Sequence, residues 1–315
     1  MSYLLTTGIL SQVRNNPLPG DFTNSTYTSG AYVAYSLRKV IAAYNGPVVR
    51  VRRSSDNTTQ DFTADEVVNG TLLTFVGAGD GFVNILYNQT ATASMNLTQS
   101  TNANQPIIVE SGVLYTENNR PSMKFSGSQW INHSTAASWN WLHSQKISVF
   151  MVHRIRDANP NNLFVLWGTT ISTGAGNHGI YFAYDDRSSV PRNNTSVHVA
   201  GSSGTTINAA SQNIFTVQKL VTSRVHSTPN AVASLRSYVG VDSSSLQQTN
   251  LETRNPTVAT PNWALKLGEA NSQFRLIGSI SELIIYYQGS EGGTINMLER
   301  DAQIDSAIKR HYNIT

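Results

Sequence analysis

The chain has 315 residues, with 22 Lys+Arg against 19 Asp+Glu and no cysteine. The absence of cysteine excludes disulfides, thiolate metal sites and thiol nucleophiles. Only 13% of residues are charged, against roughly 25% in an average soluble domain. The densest basic cluster is Arg50, Arg52 and Arg53, too small a patch for a nucleic-acid footprint. No apolar run approaches the ~20 residues that cross a bilayer as a helix. Residues 1–7 lack the basic and apolar pattern of a leader, so neither membrane insertion nor a signal peptide is expected.

Residues 1–29 hold Asn15, Asn16, Pro17, Pro19 and Gly20, which oppose regular structure, so an extended N-terminal arm is expected. Residues 30–45 then predict a helix, with Val33, Leu37, Val40, Ile41 and Tyr44 on one face, Ser29 as a cap and Gly46-Pro47 as a stop. From Val48 to Arg53 the valines alternate with arginines, as in a half-buried strand. Short strand signals follow at 72–76, 82–87, 106–109, 113–115 and 122–125. Residues 146–153 are apolar on both faces, which suits a strand in the middle of a sandwich. Further runs at 163–167, 179–184, 195–199, 216–222, 231–241, 263–267, 274–276 and 280–286 continue the pattern. Thr294 then opens a helix over 295–311 whose last turn carries Lys309, Arg310 and His311. The fold expected is all-β with minor α: a β-sandwich or jelly roll with one N-terminal-region helix and one C-terminal helix. It is read as the 1–29 arm and one domain over 30–315.

A glycosidase needs two carboxylates flanking the scissile bond. Asp56, Asp61, Asp80, Asp185, Asp186, Glu269 and Glu282 are available. Asp56 and Asp80 read as turn anchors, and adjacent Asp185 and Asp186 point to opposite faces of a strand. No catalytic residue is assigned on this basis. Asp157, Asn159 and Asn161 open like a calcium loop, but Asn162 and Gly168 stand where Gly and Glu are required. The Gly77 to Gly81 loop has no Lys-Ser/Thr after it. No metal and no cofactor is expected. The candidate ligand-binding set is Trp130, Trp139, Trp141, Asn140 and His143, with Asp185, because aromatic faces stack on sugar rings while Asn, His and Asp bond hydroxyls. Core packing is the alternative for these tryptophans. If they bind ligand, Trp139→Ala or Trp141→Ala weakens glycan binding without lowering the melting temperature.

Residues 34–126 resemble the N-terminal part of the catalytic domain of the α-L-arabinofuranosidase B family and related bacterial and phage modules. The matching residues are Ala34-Tyr35-Ser36-Leu37-Arg38, Val49-Arg50-Val51-Arg52-Arg53-Ser54-Ser55-Asp56, Phe75-Val76-Gly77-Ala78-Gly79-Asp80-Gly81-Phe82-Val83, Tyr87-Asn88-Gln89 and Asn104-Gln105-Pro106. Residues 263–314, with Leu267-Gly268 and Gly278-Ser279-Ile280-Ser281-Glu282-Leu283-Ile284-Ile285-Tyr286, are similar to the end of a concanavalin-like or laminin-G-like module. Together these imply a lectin-like jelly roll, with 30–126 the arabinofuranosidase-like segment and 127–315 the remainder. Asn88 stands where the enzyme pattern has Asp, and Thr90-Ala91-Thr92 replaces its glycine-bearing turn. The fungal enzymes' adjacent cysteine pair is missing, and their catalytic carboxylates match no position in 127–262. The resemblance therefore implies a non-enzymatic virion protein: a capsid decoration, head-fibre or tail/receptor-binding component. Its partners are other virion proteins met through the arm, and host surface or environmental glycans, in a homo-oligomer. Alternatives are an exported glycoside hydrolase of arabinofuranosidase type and a cellular carbohydrate-binding adhesion module.

Overall fold

A computed structural model describes residues 31–90, 93–156, 163–170, 177–185, 192–198, 205–210, 217–226, 233–242, 247–248, 252–254, 259–270, 274–287 and 297–314. The arm expected over 1–29 lies outside the described residues. The chain begins with β1 (Val33–Ser36), β2 (Val49–Arg53) and β3 (Thr59–Phe62), then helices α1 (Ala64–Val68) and α2 (Thr71–Val76), then β4 (Gly81–Leu86). Short strands follow: β5 (Leu97–Thr98), β6 (Ile107–Glu110), β7 (Val113–Leu114), β8 (Thr116–Glu117), β9 (Arg120–Pro121), β10 (Met123–Ser126) and β11 (Ile131–Asn132). The long strands are β12 (Ile147–Ile155), β13 (Leu163–Gly168), β14 (Gly179–Asp185), β15 (Arg192–His198), β16 (Thr205–Ala210), β17 (Lys219–His226) and β18 (Ala233–Val241). Last come β19 (Gln247–Gln248), β20 (Glu252–Arg254), β21 (Lys266–Leu267), β22 (Ile277–Tyr287) and α3 (Met297–Tyr312).

All strand pairings are antiparallel, and they make two layers. In the back layer β22 pairs β1, β10 and β12, and β12 pairs β17, which pairs β18. The front layer runs β3, β2, β4, β5, β11, β21, β13, β14, β15, β16. Strand β6 bonds both β4 and β10 and so joins the layers. Alternation places the core between them. Val149 and Met151 from the back layer pack in one cluster with Val49, Val51, Leu97, Ile131, Leu166, Trp167, Phe182 and Leu267 from the front. The opposite side of β12 is apolar too: Phe150 and Val152 pack with Ile304, Ile308 and Tyr312 of α3. The two-faced reading of 146–153 thus has a physical cause, because one face meets a sheet and the other a helix. The mostly β sandwich with minor helix is the fold expected.

Two local expectations change. Residues 33–36 form strand β1 in place of the helix expected over 30–45. Val33, Tyr35 and Leu37 face the core, while Ala34 faces the α3 side, which is a period of two. Register with Ile285, Ile284, Leu283 and Glu282 of β22 fixes it. The helical content lies later, in α1 and α2. Thr63 and Glu66 close a capping box on α1, and the left-handed Gly70 (φ 98°) turns the chain into α2. Residues 72–76, expected as a strand, are therefore helical, with Leu72 and Val76 buried one turn apart.

One buried histidine sets an acid limit on this core. His153 of β12 is fully buried, its ring edge-on to Phe182. Burial pushes its pKa down to about 4, against a smaller upward effect of a backbone hydrogen bond with Met151. The unfolded chain therefore binds this proton between about pH 6.5 and 4 while the folded chain does not, so stability falls as pH drops through that window. The expected loss is about 3 kcal/mol, read by urea denaturation at successive pH values. His153→Leu removes that part of the slope; an unchanged slope in this variant contradicts the assignment.

Candidate functional site

The outer faces of the two layers differ. The back layer is roofed by α3, whose Asp301 pairs with Arg224 and accepts a hydrogen bond from Ser148. The front layer turns a row of side chains outward. Register runs across it from Asp61 through Arg50, Ile85, Thr98, Asn132, Lys266 and Gly168 to Tyr181. Apart from Gly168, which is buried, every residue in this row is half-buried or exposed, while Leu97, Ile131, Leu267 and Trp167 on the reverse are buried. This face is the candidate site.

Its centre is built by three local devices. Trp130 precedes β11 and stands outward because Ile131 points in. The Lys266 Nζ lies 4.4 Å from its ring centroid, a cation–π contact. Its backbone is held at both ends: Trp130 N–H donates to the Asn104 carbonyl, and its own carbonyl accepts from Gln99 Nε2. Gln105 bonds the Gln99 carbonyl, and Arg52 Nε donates to Gln105 Oε1. The matched segments at Arg52 and Asn104-Gln105 thus serve as supports for Trp130.

The second device is Gly268, at φ 84°. A Cβ there would lie 2.5 Å from the Phe125 ring, so only glycine fits. The turn brings Glu269 beside its own strand, where it pairs with Lys266 at 3.0 Å and Arg275 at 3.5 Å. Glu269 is 2% exposed while both cations remain more open. The third device is a close strand contact. A register shift between Val165 and Trp167 keeps Leu166 and Trp167 both inward and sets Gly168 between Lys266 and Tyr181. Gly168 is buried there, and a Cβ on it would sit 2.7 Å from Tyr181 Cβ, so glycine lets the two strands approach. Half-buried Tyr181, Trp263 and Phe274 pack against the buried cluster of Leu163, Val165, Ala183 and Ala270 beyond it. Aromatic rings, amide, amine and carboxylate along one face are what a polyhydroxylated ring needs: apolar C–H faces stack and hydroxyls bond.

The candidate set read from sequence is divided by the fold. Trp130 belongs to this face. Trp139 is fully buried and donates Nε1–H to His133 Nδ1 at 3.1 Å. Trp141 is buried against Tyr32, with ring centroids 4.4 Å apart, and donates to the Ser138 carbonyl. His143 is fully buried beside His178. Asn140 closes the 3-10 turn Ala136–Trp139, and its carbonyl accepts from Ser144 Oγ. Trp139, Trp141 and His143 pack the interior, with Asn140 half-buried at the turn, because the 3-10 turn leads into β12. Asp185 ends β14 opposite Leu163, and its side chain lies outside the described residues. Sequence reasoning named Glu269 only as one carboxylate among several, and missed Lys266, Gly168, Tyr181 and Trp263. Their signal is Lys-x-x-Glu spanning a glycine, which has meaning only once the turn at Gly268 is known.

Among the described residues no group of three or more His, Asp and Glu side chains is arranged to hold a metal ion. No family model and no curated protein matches the sequence. Solved structures do share the fold. A glutamate-to-glutamine mutant of a GH54 α-L-arabinofuranosidase, soaked with 4-nitrophenyl α-L-arabinofuranoside, is 14% identical with a TM-score of 0.53; the match covers 88% of this chain and 63% of that one. An arabinofuranosidase complexed with arabinofuranosyl-α-1,2-xylobiose is 15% identical with a TM-score of 0.51, covering 90% and 64%. The Ruminococcus gnavus IT-sialidase CBM40 bound to α2,3 sialyllactose is 9% identical with a TM-score of 0.41, covering 59% of this chain and 95% of that one. The chain spans less than two thirds of the length of the two arabinofuranosidases.

The class of fold is thereby defined: a β-sandwich shared with these two arabinofuranosidases. The expectation of a non-enzymatic chain is overturned, because the two arabinofuranosidases, which match 88% and 90% of this chain, are glycoside hydrolases. Loss of the acid at Asn88 does not argue against enzymatic chemistry. Asn88 is a buried support whose Oδ1 accepts from Ala34 N–H and whose Nδ2 donates to Thr90 Oγ1.

Proposed function

We propose that the chain is a carbohydrate-active protein that takes α-L-arabinofuranose-bearing glycans on the open front face and cleaves the arabinofuranosidic bond there. The observation that carries this is the coincidence of an arabinofuranosidase-type fold over most of the chain with a half-buried aromatic face holding a carboxylate. Trp130 stacks the sugar, and Lys266 and Asn132 bond its hydroxyls. Glu269 is one of the two carboxylates, placing negative charge beside an oxocarbenium-like transition state. Asp61 is not the other. It lies at the far end of the row, and at ~4.8 Å per strand it is some ~20 Å away, beyond the ~5–9.5 Å that such pairs span. Asp185, on the strand that carries Tyr181, is the proposed second carboxylate.

The test is nitrophenolate release from 4-nitrophenyl α-L-arabinofuranoside. The wild-type chain is expected to turn over, and Glu269→Gln and Asp185→Asn each to lower kcat by about 100-fold or more, the scale of general acid–base contributions. Trp130→Ala is expected to raise KM with a smaller change in kcat. Absence of turnover on arabinofuranosides of every linkage, with no binding to arabinan, rejects the proposal.

A second reading concerns where the protein acts. The quoted likeness of Ala34 to Arg38 and Phe75 to Val83 to phage modules supports placement on a virion, with partners met through residues 1–29. Mass spectrometry of purified particles tests this: the chain at fixed stoichiometry supports it, and absence removes it.

A further inference from the structure

A pocket of about 310 Å³ lies on the α3 side of the molecule, away from the front face. It is bounded by the end of α3, helix α1 and the β8–β9 hairpin. Its volume falls at the lower end of the roughly 300–1,000 Å³ typical of small-ligand sites. Arg38, Arg120, His311 and Tyr312 give its lining polar groups. Leu37, Val68, Leu114 and Pro121 give it apolar ones.

The charges do not cancel. Arg38 is neutralised from behind by Glu282, through bonds of 2.7 and 2.9 Å. Among the described residues Arg120 has no such partner. Its Nε donates to the His311 carbonyl at 2.7 Å, which anchors the guanidinium at the end of α3 and leaves its Nη groups for another acceptor. No Asp or Glu lines the pocket among the described residues. Glu117, next to the lining residue Thr116, is committed to Arg154, Arg156 and Tyr115. The partial negative charge at the end of α3 is met by Arg120 itself, by Asn118 Nδ2 on the Tyr312 carbonyl, and by Lys309 and Arg310 in the last turn. His311 stays neutral at ordinary pH, because burial first, and then Arg38 and Arg120, push its pKa far down. It is thus a hydrogen-bonding group and not a second cation.

We propose that this pocket binds a small monocarboxylate of sugar-acid size, with its carboxylate on the Arg120 guanidinium and its ring against Val68, Leu114 and Pro121. A planar guanidinium suits a carboxylate better than any neutral hydroxyl, and the C–H face of a pyranose suits the apolar side chains. The site is independent of the front face and of arabinofuranoside hydrolysis. Ala64 lines both this pocket and a second of about 460 Å³ that holds Lys39, Asn45, Thr63 and Asp65.

Isothermal titration of the full chain with sodium D-galacturonate, D-galactose and tri-galacturonate tests this. Galacturonate is expected to bind saturably, with a Kd on the order of 1 mM for so small a ligand, and galactose at least tenfold more weakly. Arg120→Gln removes the preference for the acid. Val68→Trp, at a half-exposed position outside the α3 hydrogen bonds, blocks binding without touching the charge. Glu269→Gln leaves it unchanged. Tighter binding of the trimer identifies the chain end of an acidic polysaccharide as the source, and equal binding identifies the free sugar acid. Galactose binding as well as galacturonate overturns the proposal, as does unchanged affinity in both Arg120→Gln and Val68→Trp, or no saturable binding at all.

Discussion

Trp139→Ala lowers stability by about 3–5 kcal/mol, the cost of emptying a fully buried aromatic site, and the melting temperature by roughly 5–10 °C. This reverses the outcome expected of a ligand-stacking residue. Trp139 is 0% exposed and packs tilted on Trp141 at 6.0 Å. It also orders its surroundings. His133 Nδ1 accepts from both Trp139 Nε1–H and the Thr135 N–H, so its proton sits on Nε2 and is donated to the Ser94 carbonyl. Removing the indole leaves the Thr135 bond in place but opens a void beneath the 3-10 turn. Trp130→Ala is the control, because its ring lies on the front face and its loss opens no void in the core; it melts within about 1 kcal/mol of wild type. Thermal denaturation of both variants decides the matter. A Trp139→Ala chain that melts like wild type places the indole on the surface after all.

That contrast shows what the sequence made legible. Alternation was clear where one face met water: Val49 and Val51 against Arg50 and Arg52 read directly as a half-buried strand, and they form β2. The closing helix was clear because its apolar positions keep a single period. The segment around Val33 was not, since Val33 and Leu37 fit a helix and Val33, Tyr35 and Leu37 fit a strand. The arbiter is β22, which lies across most of the chain and supplies a full ladder of backbone bonds to β1. Local pattern carries no information about that partner. The tryptophans were ambiguous for a related reason. Trp130 and Trp139 each stand among Ser, Asn and His, and only the register of β11 with β21 turns one out while the 3-10 turn carries the other in. Gly168 is the clearest case of what sequence cannot give. It is one of 22 glycines, and its close approach to Tyr181 depends on a register shift between β13 and β14.

Glu282→Ala is expected to lower stability by about 3–5 kcal/mol, the cost of breaking a buried pair by deleting one partner. Glu282 is buried on β22 and accepts four hydrogen bonds: Arg38 Nε at 2.7 Å, Arg38 Nη2 at 2.9 Å, Ser36 Oγ at 2.8 Å and Tyr312 OH at 3.2 Å. Truncation strands the Arg38 cation at a site where its side chain is 7% exposed. It also removes an acceptor from the last residue of α3, whose hydroxyl retains only a longer contact with the Ser281 carbonyl at 3.4 Å. The C-terminal turn of α3 should then lose amide-exchange protection before the back layer does. The double variant Arg38→Met/Glu282→Leu separates the two causes. It removes both charges, so it is expected to be more stable than Glu282→Ala by at least about 3 kcal/mol. Recovery with α3 still docked shows that the apolar contacts of Ile304 and Ile308 hold the helix, and that the ion pair chiefly fixes its register. If the double variant is as unstable as the single, the pair itself is the source of the stability. Unfolding free energies of both variants from urea titration, with exchange rates over 297–314, distinguish these outcomes.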